Sequence, residues 1–526
     1  MTDGHGVEDG AAVTGHAIVR AAATCRLDAR QPVAPAWAQA PWPRNPPWIP
    51  VCPEPRPMPP IFDPWRACVV AAEVSMATNA AAGSLAAMRS QRLAELLAAA
   101  AAHSPRYRRL LAGCDPATAR LEELPVARKA ELMGDFAGWV CDPALSLPAL
   151  RRFLAEPANI AADCLGPYTA WESSGSTGEP AIFVQDARAM AVYDALEALR
   201  RPLLRPFERL LDPWSLGERI AFVGATGGHF ASTVSVERLR RLQPGLASRL
   251  RGISFLQPLD RLCDELDAFD PTVLATYPSA AIVLAQEREA GRLKAAPREI
   301  WTGGETLSAA GRVFLKEAFA CPVANSYGAS EFLSLAFECS LGVLHLNSDW
   351  AILEPVDAQG RAVPAGHAGI TTLLTNLANH LQPVIRYDLG DRVRLLDAPC
   401  GCGSHLPVIE VHGRDDDTLC LAGGVGMPAV RVVPLAVSTV LEEEAGLFDF
   451  QLVQQGPREL LLKTRGQGQK MQRTLRKARA ALGAFLETQG AKGVRIECRA
   501  GESTQCGRSG KFRRVISLNA RPDDAC

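Results

Sequence analysis

The stretch SSGSTGEP at residues 173–180 combines small, flexible residues with a dense supply of hydroxyl and backbone N–H donors. Glycines let the backbone approach an oxyanion closely, and Ser and Thr hydroxyls add donors, so such a loop can hold a triphosphate without a charged side chain. It is not the P-loop of the common NTPases, because Glu179 and Pro180 stand where that motif requires Lys followed by Ser or Thr. Taken alone, the stretch is more typical of a plain surface loop.

Four further motifs follow in order, and each suits the handling of a nucleotide. They are GGE at 303–305, SYGASE at 326–331, RYDLGD at 386–391 and GRDDD at 413–417, with Gly510-Lys511 near the C-terminus. This ordered set resembles the adenylate-forming superfamily of acyl-CoA synthetases and adenylation domains, most closely its phenylacetate–CoA ligase branch. Tyr107, LEELPVARKAEL at 121–132 and GATGGHFAS at 224–232 extend the resemblance over roughly residues 66 to 526.

Residues 66–412 alternate helical stretches with short apolar runs bounded by Gly and Pro. The predicted strands are 219–224, 272–277, 299–303 and 322–328. Strands separated by helices predict an α/β domain with a parallel sheet covered on both faces. The motifs GGE and YGASE then follow predicted strands, where ligands of open α/β sheets bind. After residue 350 the pattern predicts an antiparallel β subdomain.

The sequence predicts three regions. Residues 1–65 form a Pro-rich, poorly ordered extension, for which a docking motif is the alternative. Residues 66–412 form the large domain, and residues 413–526 form a small α+β domain that the resemblance implies is mobile. Within the large domain, the Ala-rich stretch 80–102 is predicted to be a helix with Ser84 as its N-cap.

Composition limits the classes of partner. The 526 residues carry a formal net charge of −1, which provides no field to attract nucleic acid or an anionic membrane surface. Arg89, Arg92 and Glu95 make the Ala-rich stretch a poor membrane span. The acidic, Gly-rich N-terminus shows no export signal, and the 15 cysteines indicate reduced thiols in the cytoplasm. We therefore expect a small-molecule substrate.

The resemblance implies a role for each motif. The β- and γ-phosphates of ATP would lie on Ser173, Ser174, Gly175, Ser176, Thr177 and Gly178. The nucleotide site would comprise Gly303, Gly304, Glu305, Tyr327, Gly328, Asp391 and Arg414, with Tyr327 on the adenine and Asp391 on the ribose. Glu331 would hold Mg²⁺, Asp416 would be the hinge, and Lys511 would be the catalytic lysine. Many relatives carry a Lys in or just after the phosphate loop, whereas this chain has Glu179 and Ala181.

The acid pocket is predicted from His229, Phe230 and Tyr277, a set suited to an apolar or aromatic carboxylic acid. His229 is interpreted either as a ligand of the carbonyl oxygen or as a structurally satisfied histidine.

A separate group of residues predicts a metal site. Cys339 and His345 stand close in sequence, as do Cys400 and Cys402. Three Cys and one His make a closed tetrahedral zinc set, with His405 as a substitute ligand. Unligated thiols beside a loop histidine are the alternative.

Three functions remain open from the sequence. The leading one is an ATP-dependent acid–CoA ligase that forms an acyl-adenylate. The second adenylates the acid but transfers the acyl group to a carrier-protein thiol or an amine. The third is a nucleotide-binding regulatory protein that has lost chemistry, to which the absence of a loop Lys would point.

Overall fold

The computed structural model describes residues 62–173, 180–202, 204–212, 216–414, 418–424, 429–432, 434–502 and 513–517. The strands are β1 (Thr169–Glu172), β2 (Ile182–Gln185), β3 (Ile220–Gly224), β4 (Leu250–Ser254), β5 (Val273–Thr276), β6 (Glu299–Gly303), β7 (Val323–Ala329), β8 (Phe332–Glu338), β9 (Leu344–Leu346), β10 (Ala351–Val356), β11 (Thr371–Asn376), β12 (Tyr387–Asp388), β13 (Asp391–Leu396), β14 (Val408–Arg414), β15 (Leu419–Leu421), β16 (Val430–Val432), β17 (Gln451–Gly456), β18 (Glu459–Thr464), β19 (Arg495–Ala500) and β20 (Val515–Ile516).

The helices are α1 (Pro64–Thr78), α2 (Ala82–His103), α3 (Pro105–Leu110), α4 (Lys129–Gly134), α5 (Phe136–Trp139), α6 (Leu147–Leu154), α7 (Ala187–Leu199), α8 (Pro206–Leu211), α9 (Ala231–Leu242), α10 (Pro244–Ala247), α11 (Leu259–Phe269), α12 (Pro278–Glu289), α13 (Ala309–Phe319), α14 (Pro434–Thr439) and α15 (Gly468–Thr488). Short 3₁₀ turns occupy Leu121–Glu123 and Pro157–Asn159, and a π-helix follows α14 at Val440–Glu444.

A nine-stranded mixed sheet forms the centre of the molecule, in the order β13-β14-β9-β8-β7-β6-β5-β3-β4. The four predicted strands are β3, β5, β6 and β7, and each pairs in parallel with the next. Side chains of these strands pack with α11, α12 and α13 in one hydrophobic cluster. The prediction of an α/β fold with a parallel sheet is therefore confirmed.

Two details of the sequence analysis are wrong. Helix α2 begins at Ala82 with Ala81 as its N-cap, not at Ser84, because the backbone is already helical at Ala82 and Gly83 and no side chain caps the helix. The run YGASE does not follow a strand. It lies in β7 and in the turn to β8, because β7 continues to Ala329 and pairs antiparallel with β8.

A separate three-stranded sheet, β10-β11-β12, pairs antiparallel as predicted for the region after residue 350. The C-terminal part contains a four-stranded sheet in the order β19-β18-β17-β20. Helix α15 packs on this sheet, and Leu452, Leu462, Leu482 and Ile496 belong to a hydrophobic cluster of its own.

The short hairpin β1–β2 leads into and out of the Ser/Gly-rich loop, and amide side chains bind its outer edge. Gln382 accepts a hydrogen bond from Val184 N at 2.8 Å and donates to Ile182 O at 3.0 Å. Asn379 donates to Val184 O at 2.8 Å and to the Gln185 side chain at 2.9 Å. All of these amide groups are buried. They occupy the positions that backbone groups of a third strand would take.

Replacing Gln382 with Met should destabilise the protein, because the near-isosteric side chain leaves a buried N–H and a buried C=O of β2 unpaired. We expect a loss of about 2–5 kcal/mol in the free energy of unfolding, measured by denaturant titration. The exposed Gln359→Met is the matched control and should change stability little. Equal stability of the two variants would show that the amide contacts do not support the hairpin.

Candidate active site

The predicted nucleotide motifs lie together at the carboxyl ends of the parallel strands. Gly303 ends β6, and Gly304 has a φ of +77°, a left-handed conformation that favours glycine. A side chain on Gly328 would place its Cβ 1.9 Å from the Leu333 carbonyl oxygen, so only glycine fits there. Tyr327 directly precedes Gly328 near the end of β7. The backbone of the fold therefore requires glycine at Gly328 and favours it at Gly304.

Tyr327 and Asp391 form the best-defined polar contact of this site. The Tyr327 hydroxyl donates to Asp391 Oδ2 at 2.6 Å, and the tyrosine is buried. Asp391 begins β13 and lies opposite Arg414 of β14 in the strand register. Three residues predicted separately for the nucleotide site are therefore brought together by three strands, β7, β13 and β14.

Glu331 lies in the turn between β7 and β8, and both sides of this turn are anchored. Asn376 donates to the Glu331 carbonyl oxygen at 2.9 Å. Trp171 of β1 donates through Nε1 to the Ser330 carbonyl oxygen at 2.8 Å. The turn that contains Glu331, the residue predicted to bind magnesium, is thus hydrogen-bonded to the β1–β2 hairpin, which bears the predicted phosphate loop.

Ser173 joins the two ends of the Ser/Gly-rich loop. Its N–H donates to the Ala181 carbonyl oxygen at 2.8 Å, and its hydroxyl accepts from Ala181 N at 2.9 Å. The predicted phosphate ligands Ser174, Gly175, Ser176, Thr177 and Gly178 lie outside the described residues, as do Asp416, Lys511 and the side chain of Arg414.

Glu305 and Asp388 both bond to backbone amides. Glu305 accepts from Ser279 N at 3.0 Å, at the first turn of α12. Asp388 accepts from Gly390 N at 3.0 Å and from the Thr371 hydroxyl at 2.5 Å. Asp388 therefore caps the turn that contains Gly390.

A cavity of about 400 Å³ opens beside the loop that follows β3. Its lining is mostly apolar or small and includes Leu154, Ala155, Pro157, Glu172, Ala225, Gly227, Gly228, His229, Phe230 and Leu256. Tyr277 is absent from this set of described residues and instead packs edge-on against Phe255, with ring centroids 5.9 Å apart. Burial raises the pKa of Tyr277, which therefore stays protonated.

His229 is partly satisfied by the protein. Its Nε2 lies 3.0 Å from the Glu156 carbonyl oxygen, so Nε2 carries the proton and Nδ1 is the acceptor. Among the described residues, Nδ1 is buried without a hydrogen-bond partner. Burial lowers the pKa of His229, which favours the neutral ring.

The four predicted zinc ligands cluster together. The ligand atoms of Cys339, His345, Cys400 and Cys402 all lie within 4.8 Å of one another. Cys339 Sγ is 3.8 Å from Cys400 Sγ, and Cys402 Sγ is 3.4 Å from His345 Nε2. His345 Nδ1 lies 2.8 Å from the Leu406 carbonyl oxygen, which leaves Nε2 as the ligating nitrogen. His405 is exposed and is not part of this cluster.

The sequence analysis missed the residues that support the hairpin. Asn376, Asn379 and Gln382 are all buried, although amides are usually exposed. The one available signal was TNLANHLQ at 375–382, a cluster of amides directly after the apolar run of β11. Trp171 gave no signal, because its indole N–H bonds to a turn distant in sequence.

None of the helices in the described ranges has both the length and the apolar character needed to cross a membrane.

The sequence matches no protein-family model and no curated protein. Solved structures of an acyl-CoA ligase are nevertheless similar in fold. 2-Hydroxyisobutyryl-CoA ligase in the postadenylation state with 2-HIB-AMP has 22% sequence identity and a TM-score of 0.62, covering 85% of this chain and 92% of that chain. The same ligase with 2-HIB-AMP and CoA in the thioesterification state has 21% identity and a TM-score of 0.50, covering 84% and 91%. The chain described here therefore has the fold of the adenylate-forming acyl-CoA ligases.

Proposed function

We propose that this protein is an ATP-dependent carboxylic acid–CoA ligase. The observation that carries the proposal is the direct tie between the phosphate hairpin and the Glu331 turn, beside the Tyr327–Asp391 pair, in a fold shared with an acyl-CoA ligase. Such an edge can orient a nucleotide and a second anion without reorganising during the reaction.

The proposed reaction has two steps. In the first, a carboxylate oxygen of the acid attacks the α-phosphorus of ATP, and the bond from that phosphorus to pyrophosphate breaks. In the second, the CoA sulfur attacks the acyl carbonyl carbon, AMP leaves with the former carboxylate oxygen, and the thiol proton passes to solvent. Lys511 would offset the charge that builds up in the first step.

The nucleotide would be held by residues whose positions are fixed by the fold. Tyr327 would lie against the adenine, while its hydroxyl orients the Asp391 carboxylate toward the ribose hydroxyls. Glu331 would supply a carboxylate oxygen to Mg²⁺, which would neutralise phosphate charge when bound. Arg414 would support the ribose side, with Gly303, Gly304, Glu305 and Gly328 completing the base site. Asp416 would serve as the hinge of the C-terminal domain.

The acid would enter the cavity beside His229 and Phe230. Leu154, Phe230 and Leu256 in its lining would contact an aromatic or other apolar acid, in keeping with a phenylacetate–CoA ligase-like enzyme. Tyr277 would support the pocket indirectly, by packing against Phe255, and would not contact the acid.

A screen of carboxylic acids by ATP–pyrophosphate exchange tests the proposal, since it reports adenylation whatever the acceptor. AMP release that then requires CoA would support the ligase, whereas release driven by a carrier protein or an amine would support transfer to that acceptor. ATP binding without exchange for any acid would identify a nucleotide-binding protein that has lost chemistry, and would overturn the proposal.

We also propose that Cys339, His345, Cys400 and Cys402 hold a structural zinc ion. Three thiols and a neutral imidazole nitrogen form a ligand set that zinc prefers, and the Leu406 carbonyl fixes the required His345 tautomer. The protein would fill all four positions, so the ion would stabilise structure rather than bind substrate.

Zinc analysis of the purified protein should find one ion per chain. Cys402→Ser should lower zinc content and thermal stability, because it removes one of four ligands. The exposed Cys114→Ser is the control and should keep the zinc. Zinc-free protein with unchanged stability in a strong chelator would remove the proposal.

Glu331→Gln should reduce pyrophosphate exchange at limiting Mg²⁺ on the order of 10- to 100-fold, because a neutral amide anchors the ion less well. Excess Mg²⁺ should restore only part of the rate. The exposed Glu289→Gln is the control for loss of one negative charge. Unchanged exchange by Glu331→Gln at limiting Mg²⁺ would show that the carboxylate does not hold the ion.

Lys511→Ala should lower pyrophosphate exchange on the order of 100-fold or more, through loss of a charge contact made in the first transition state. Thioester formation from a chemically supplied acyl-adenylate should continue, because that step lacks the same charge. The exposed Lys492→Ala is the control. An equal loss in both half-reactions would contradict the assigned role.

A further inference from the structure

The C-terminal part contacts the central sheet region at the start of α13, just after the Gly303–Glu305 motif. Ser308 is the N-cap of α13, and its hydroxyl accepts from Gly311 N at 2.9 Å. The same hydroxyl donates to the carboxylate of Glu442, which lies in the π-helix of the C-terminal part. Both residues are buried, with exposed fractions of 7% for Ser308 and 2% for Glu442. The contact is therefore shielded from water.

Glu442 is also paired with Arg514. The Arg514 guanidinium donates to the Phe448 carbonyl oxygen and lies over the Phe450 ring, 4.4 Å from its centroid. Its backbone carbonyl accepts from Leu452 N at 2.7 Å, directly before β20. The arginine is consequently held by charge, by a backbone bond and by its own strand.

A second contact lies beside this polar chain. Phe314 of α13 stacks on Phe448, with ring centroids 4.7 Å apart and planes 15° from parallel. Phe448 packs against the hydrophobic cluster of the central sheet, although it belongs to the C-terminal part. Apolar stacking contributes attraction here, whereas the buried carboxylate sets direction, because it is satisfied only when a donor faces it.

We propose that Ser308, Glu442 and Arg514 act as positioning residues for the first half-reaction. They connect the nucleotide motif at the end of β6 to the base of the segment that carries Lys511, which stands three residues before Arg514 in the sequence. The proposal rests on the proposed adenylation function. The Ser308–Glu442 hydrogen bond joins the two parts in the arrangement described here, and a rotation of the C-terminal domain for the thioester step would break it.

The π-helix that carries Glu442 fits this role. A π-helix is rare, and single π-turns occur frequently at functional sites. Its neighbours Glu443 and Glu444 are exposed, whereas Glu442 is buried against Ser308. Of three consecutive glutamates, only Glu442 thus points toward Ser308.

Replacing Ser308 with Asn or with Asp, two residues that are isosteric with each other, isolates the contact. Asn and Asp both cap helix N-termini well, so Ser308→Asn and Ser308→Asp each preserve the cap of α13. Asn also offers an amide donor to Glu442, whereas Asp sets a second carboxylate against it, which is unfavourable in a buried site. Only Ser308→Asp should therefore open the contact.

At pH 8, we expect Ser308→Asp to lower pyrophosphate exchange about 10- to 100-fold relative to Ser308→Asn. Thioester formation from a supplied acyl-adenylate should be the same in both variants. Glu442→Gln should lower exchange as well, because it removes the charge pair with Arg514, and adding it to Ser308→Asp should restore part of the rate, because the amide no longer repels the new carboxylate. The exposed Glu443→Gln is the matched control.

Hydrogen–deuterium exchange of the full-length protein supplies a readout independent of catalysis. Peptides covering 306–319 and 440–456 should exchange faster in Ser308→Asp than in Ser308→Asn. If hydrogen–deuterium exchange differs in this way but the parent protein adenylates no acid, the Ser308–Glu442 contact stands. The positioning role then fails together with the proposed function. Identical behaviour of the two Ser308 variants in both assays, or an equal loss in both half-reactions, overturns the inference itself.

Discussion

The β1–β2 hairpin depends on hydrogen bonds that side chains, rather than a third strand, provide to the outer edge of β2. A two-stranded hairpin is only marginally stable on its own. Asn379 and Gln382 bind the outer edge of β2, and Asn376 extends the same segment to the Glu331 turn. One run of amides therefore fixes both the base of the Ser/Gly-rich loop and the residue proposed to hold Mg²⁺. Because the three amide side chains are buried, the distance between these two features is set before any ligand binds.

The parallel strands could be predicted from the sequence because each is a short apolar run bounded by Gly or Pro. The pair Cys339 and His345 could also be predicted to lie near the pair Cys400 and Cys402, because Cys and His side chains are the usual zinc ligands. Tyr277 shows the limit of such reasoning. It follows β5 at the expected edge, but its ring turns toward Phe255, and no local pattern encodes that direction. The YGASE run was misplaced because the pairing of β7 with β8, which extends β7, depends on residues across the turn.

The amide run and the Ser308–Glu442 contact escaped prediction for a common physical reason. Polar residues are normally exposed, and their burial is stable only when distant groups satisfy them. Asn379 and Val184 are 195 residues apart, and Ser308 and Glu442 are 134 residues apart. Periodicity reports which face of an element is apolar, but it contains no term for such pairings. Residues of this kind become visible only when the chain is folded.

Strand β8 joins the candidate magnesium residue to the cysteine cluster. Glu331 directly precedes this strand and Cys339 directly follows it, so the two ends are separated by about 20 Å of extended chain. The thiols of Cys339 and Cys400 lie 3.8 Å apart although 61 residues separate them in sequence, so the far end of β8 lies beside the loop before β14. Sliding a strand by one residue turns every side chain to the opposite face. A metal ion that joined Cys339 to Cys400 would therefore oppose any slip of β8. A metal at the cluster would thus hold the Glu331 turn in place without touching the nucleotide.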